Sequence, residues 1–141
     1  MPIKNYTTKA SAAQTVGEIQ GKLAMNGARK VMMDYSEDGR VESVSFMLHT
    51  PQGPRGFVLP ANIEAMVKVL ERQRVRCDID HAERVAWRNI KDWIDAQMAL
   101  METEQVSMEQ IFLPFMADNQ GRTVYELYAS SQLALGDGGV T

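Results

Sequence analysis

Three side chains of this 141-residue sequence could act as soft metal ligands or nucleophile partners: His49, His81 and Cys77. A zinc or iron site needs such groups clustered at spacings like C-x-x-C or H-E-x-x-H, and neither pattern occurs. No metal site and no cofactor are expected. Cys77 stands among Arg74, Arg76 and His81, cations that would favour a thiolate, although a lone thiol between helices is more often a packing residue. A G-x-S-x-G elbow is absent. The "GDGG" near the end has no helix after it, and "PQGPRG" lacks the lysine and the following helix of a phosphate loop. The catalytic residue set is empty, which points to a protein that binds rather than converts.

Two stretches carry binding chemistry. In "HTPQGPRGFVLP", Gly53 permits close backbone approach and Arg55 offers a guanidinium fork for phosphate or carboxylate. His49 is expected near the same hairpin tip. The second stretch is "HAERVAWRNIKDWIDAQMALMETE", His81 to Glu104. Arg84, Arg88 and Lys91 share one helical flank, with Trp87 beside them for base stacking. Arg88 and Asp92, and Lys91 and Asp95, also stand four apart, a spacing that predicts helix-stabilising ion pairs. Met98 and Met101 continue the apolar row, giving a stripe wide enough to predict contact on two sides, with the sheet and with another helix or subunit.

Charge is segregated along the chain. The net charge is +1 over residues 1–67, +3 over 68–91 and −7 over 92–141. Such a pattern suits electrostatic orientation toward a partner or a second copy. The ten methionines favour adaptable surfaces as well as cores. With one cysteine no intrachain disulfide can form, which fits a reducing cytoplasm, and no apolar run suits a membrane span or a secretory leader.

The elements that must position these residues are marked by local signals. "SAAQ" (Ser11–Gln14), "SMEQ" (Ser107–Gln110) and "TVYE" (Thr123–Glu126) have capping-box spacing, and Asp80 with Glu83 suggests another helix start. The last helix is predicted to reach about Leu135. "RKVMMDY", "VESVSFMLH" and "FVLP" read as strands, joined by turns at Asp38-Gly39 and "TPQGPRG", with a weaker strand signal at Ile3–Thr8. In the second strand Val44, Phe46 and Leu48 fall on one face and Ser43, Ser45, Met47 and His49 on the other. The predicted fold is α+β: a small antiparallel sheet of three to four strands, flanking helices and a helical C-terminal half. Residues 1–76 form the sheet region and 77–141 a helical region packed on it, within one domain.

Residues 11–73 resemble double-stranded-RNA-binding domains in element order only. The second helix of such domains opens with lysines, and here it reads "PANIEAMVK", with no early base. A broader likeness rests on "IKNYTT", "NGARKVMMDY", "SFMLHTPQGPRGFVLPANI", "ERVAWRNIKDWIDAQMAL" and "IFLPFM". Together these resemble a group of small bacteriophage- and prophage-borne proteins with no motif of assigned role. The resemblance implies an intracellular protein in a bacterial host's cytoplasm, and by class a counter-defence binder. The expected function is a non-enzymatic homo-oligomer that blocks or sequesters a host protein or signalling nucleotide, without membrane. The alternative is a nucleic-acid-binding accessory of phage DNA metabolism using the basic residues 68–91.

Overall fold

The computed structural model describes residues 1–139. Helix α1 (Ala12–Met25) starts at Ser11, whose hydroxyl accepts the Gln14 N–H. The Gln14 side chain turns to Glu18 at 3.3 Å instead of back to Ser11, so only half of the expected capping box forms. Val16, Ile19 and Leu23 recur at helical spacing and are buried. Asn26 caps the end, and Gly27 follows at φ 108°, a conformation that costs a residue without Cβ nothing.

Strands β1 (Lys30–Tyr35), β2 (Val41–Thr50), β3 (Gly53–Pro60) and β4 (Met116–Ala117) form an antiparallel sheet in the order β1-β2-β3-β4. The fourth strand is not Ile3–Thr8, which is a turn. It is two residues from the C-terminal half that pair with Gly56 and Phe57. The β2–β3 connection is tighter than "TPQGPRG" suggests: Thr50 pairs with Gly53, leaving Pro51 and Gln52 as the turn.

Helix α2 (Ile63–Arg72) leads into the long α3 (Ile79–Glu102), then α4 (Met108–Phe112), a 3-10 turn (Leu113–Phe115) and α5 (Val124–Ala129). The start of α3 is Asp78, whose carboxylate accepts the His81 N–H at 2.8 Å. Asp80 and Glu83, the expected start pair, instead hold Arg40 at 2.6 and 3.3 Å and tie the β1–β2 turn to the helix. The last helix stops at Ala129, short of Leu135. Both remaining capping boxes form reciprocally, Ser107 with Gln110 and Thr123 with Glu126.

The main core lies on one face of the sheet. Val44, Phe46, Leu48, Phe57 and Leu59 pack against Val16, Ile19 and Leu23 of α1 and against Trp87 and Ile94 of α3. Phe46 stacks on Phe57 at 5.1 Å and meets Phe112 edge-on at 5.0 Å, which joins the sheet to α4. A second cluster unites Leu70 of α2 with Ala82 and Val85 of α3. The wide stripe on α3 is thus used inside the chain, because α1 and α2 both pack on it. Trp93 sits edge-on to Phe112 at 5.7 Å and to Phe115 at 6.2 Å, while Met98 and Met101 are partly buried on the same core. Ile79 and Leu100, its exposed large apolar residues, lie at opposite ends and form no continuous strip.

Candidate binding face

The hairpin tip does not unite its nominated residues. Leu48 pairs with Arg55 and His49 with Pro54, and directly opposed residues share a face. His49 does stand at this hairpin, as expected, but Arg55 lies on the helix-covered side and His49 on the other. Gly53 holds the turn at φ 104°. Arg55 donates through Nη1 to the Pro54 carbonyl at 2.9 Å and lines a groove of about 440 Å³ with Asp118, Asn119 and Arg122. Arg122 is already engaged there, its Nε 2.9 Å from Asp118. Asp118 also accepts the N–H groups of Arg122 and Gln120, and these bonds hold its carboxyl below the ordinary range against the opposing effect of burial.

The basic flank of α3 is tied up within the chain. Arg88 meets Glu18 of α1 at 2.7 Å rather than Asp92, which takes Lys4 at 3.5 Å and the Asn5 amide at 2.8 Å. Lys91 does pair with Asp95, at 3.0 Å, and lies 3.8 Å from Glu18. Arg84 reaches the His81 ring at 3.3 Å, and His81 in turn lies 2.5 Å from the Tyr6 carbonyl. Trp87 is fully buried, its indole N–H donating to the Val41 carbonyl at 3.0 Å. It has no face left for a base or a partner, which rules out the expected stacking role. Cys77 packs against the α2–α3 cluster, in keeping with the packing role, and burial, then the nearby Glu71 and Asp78, push its thiol pKa up, against the activated-thiolate alternative.

The accessible binding chemistry lies on the sheet face opposite the core. The register aligns Lys30 with Met47 and Gly56, Met32 with Ser45 and Val58, and Asp34 with Ser43 and Pro60. Met32 is 61% exposed. A groove of about 330 Å³ runs between Lys30, Met32, Met47 and Val58 and ends at Asp118 and Asn119. Asp34 accepts the hydroxyls of Ser43 and Ser45 through one oxygen, Oδ2, at 2.7 Å each. Sequence reasoning missed this face although its signal was present. The alternation that turns Val31 and Met33 inward puts Met32 among polar positions, where a methionine has no core to fill.

Among the described residues no three His, Cys, Asp or Glu side chains gather as a metal site would need. Ser45 and Asp34 are hydrogen-bonded, but His49 lies four residues along the strand from Ser45, about 13 Å at the usual rise, far beyond proton-transfer reach. No helix among the described residues is long and apolar enough to cross a membrane. No protein-family model, curated protein or solved structure matches this chain.

Proposed function

We propose that this chain is a non-enzymatic binding protein that sequesters or blocks a partner molecule on the uncovered sheet face and acts as a homo-oligomer. The observation that carries this reading is the groove in which Met32, Met47 and Val58 remain accessible beside Lys30. Apolar side chains on an open sheet gain when a flat or apolar surface covers them, and methionine adapts its shape to that surface. Lys30 supplies a cation at the rim, and the serine-braced Asp34 stands on the same face. A planar base or ring on the methionines, with its anionic group toward Lys30, matches that chemistry. A signalling nucleotide fits it, and so does a host protein presenting an aromatic side chain beside an acid. A counter-defence role follows from the phage-protein resemblance and accords with such sequestration.

Native mass spectrometry of the protein taken from cells tests the reading. A bound mass on the wild type that is lost in Met47→Glu and Val58→Glu supports it. Bare polypeptide mass in all three, with no nucleotide binding by calorimetry, sinks it.

A second reading has its own observation. Lys68, Arg72, Arg74 and Arg76 make no ion pair among the described residues and flank the α2–α3 connection, whereas Arg88 and Lys91 of α3 are paired with acids. They would give a phosphate-tracking patch. DNA retention that falls steeply with salt, and a shallower slope in Arg74→Ala/Arg76→Ala, is expected of it. No retention at low salt removes it.

A further inference from the structure

We infer that β1 pairs with β1 of a second copy, antiparallel and in one register, about a two-fold axis at Met32. The inference deepens the oligomer reading above and rests on it only for its biological use. Among the described residues strand β1 is hydrogen-bonded to β2 alone, so its outer edge presents N–H and C=O groups with no described strand beside them. Such an edge is a template for another chain unless the sequence disfavours pairing.

The residues on this edge favour one pairing. The two-fold places Met32 opposite Met32, Lys30 opposite Asp34, and Val31 opposite Met33. On the open face two Lys–Asp pairs then flank a methionine pair, and on the core face the apolar residues meet each other. Neither charge is satisfied by an opposite charge at home: Lys30 makes no ion pair among the described residues. Both serine hydroxyls bind Asp34 through Oδ2, leaving Oδ1 to accept from an incoming ammonium.

Other registers that keep the faces matched are worse. A slip that shifts the two-fold by one residue to Val31 or Met33 sets Lys30 or Asp34 against a methionine. Centring on Lys30 or Asp34 sets like charges directly opposite, which is repulsive. A lysine acting only as an edge guard would have no need of an acid at the symmetric position. The pairing runs through Lys30–Asp34, where β1 is regular; the register irregularity with β2 falls between Asp34 and Tyr35, at its end. It also sets the two open-face grooves side by side, each walled by Lys30 and Met32.

Charge reversal tests the register. Sedimentation velocity on the full chain should show a dimer. Lys30→Asp and Asp34→Lys singly should each raise its dissociation constant by about tenfold or more, because two attractive pairs become repulsive. The double variant restores opposite charges and should recover the wild-type constant. Asp34→Lys also forfeits the serine bonds, so Met32→Cys in a Cys77→Ser background provides an independent readout. Directly opposed cysteines on adjacent strands lie within disulfide reach, and mild oxidation should link Met32→Cys but not Lys30→Cys. A monomer at every concentration, a dimer indifferent to both single reversals, or no Met32→Cys cross-link each overturns the inference. A monomer that still loses its ligand in Met47→Glu would sink the dimer alone. A cross-linked dimer with an empty face would sink the binding reading alone.

Discussion

The indole N–H of Trp87 donates to the carbonyl oxygen of Val41 at 3.0 Å, with the whole side chain shut away from water. The bond joins the long helix α3 to the first residue of β2, so one side chain fixes how the helix lies across the sheet. A buried indole satisfies its single donor this way or carries a penalty. Trp87→Phe keeps much of the volume and loses the donor, and should cost about 1–3 kcal/mol. Trp87→Ala adds a cavity and should cost about 3–5 kcal/mol. Urea denaturation followed by circular dichroism measures both. Equal midpoints for wild type and Trp87→Phe would show that the hydrogen bond contributes nothing.

Arg40 organises a second junction. Its guanidinium faces Asp38 at 3.2 Å, Asp80 at 2.6 Å and Glu83 at 3.3 Å. The Glu83 side chain is only 13% exposed and also accepts the Val41 N–H at 3.3 Å. Removing the cation leaves a mostly buried carboxylate short of a partner, so Arg40→Ala should lower stability by about 1–3 kcal/mol. The same change made on Glu83→Gln should cost less, because the stranded charge is gone. A double-mutant cycle in urea reads the coupling, and strict additivity would contradict it.

Asp95 sets part of the acid limit of stability. Burial pushes its pKa up, but the ammonium groups of Lys22 and Lys91 outweigh this and leave it below the ordinary carboxylate range. Lys91 stands 3.0 Å from Oδ2 and Lys22 2.8 Å from Oδ1. A carboxyl whose folded pKa is lowered contributes stability above its unfolded pKa, about 3.9, and loses it as pH falls through the folded value. Stability measured from pH 7 down to pH 2 should therefore decline less steeply at the acid end in Asp95→Asn than in wild type. Parallel curves would rule this contribution out.

Short-range features are legible in the sequence, since their geometry is contained within a few residues. The boxes at Ser107–Gln110 and Thr123–Glu126, the Asp38-Gly39 turn and the alternation of Val44, Phe46 and Leu48 all depend on neighbours one to four positions away. The features that are not legible depend on which distant residue becomes the neighbour. Helical spacing offers Asp92 to Arg88, but Glu18, seventy residues earlier, lies across the α1–α3 contact and takes it. Stripe width on α3 signals two partners, and pattern alone does not distinguish a helix of the same chain from another subunit. The hairpin is a subtler case. With Gly53 as the first residue of β3, parity puts His49 and Arg55 on opposite faces; treating all of "TPQGPRG" as turn conceals it. Strand β4 gives no signal because two residues show no alternation.

At Cys77, charge counting along the sequence gives the opposite of what the fold places around the thiol. Arg74 and Arg76 precede it and His81 follows, yet its surroundings are governed by burial against the α2–α3 cluster and by the carboxylates of Glu71 and Asp78. Each of these disfavours the thiolate, so the thiol pKa lies above its ordinary value. Since the thiolate is the reacting species, alkylation by iodoacetamide near neutral pH should be slower than for a free thiol such as glutathione. The rate should keep rising past the pH where the free thiol levels off. Glu71→Gln removes one of the two acids and should shift the profile back toward lower pH, whereas a simple accessibility block would slow the reaction at every pH without moving the inflection.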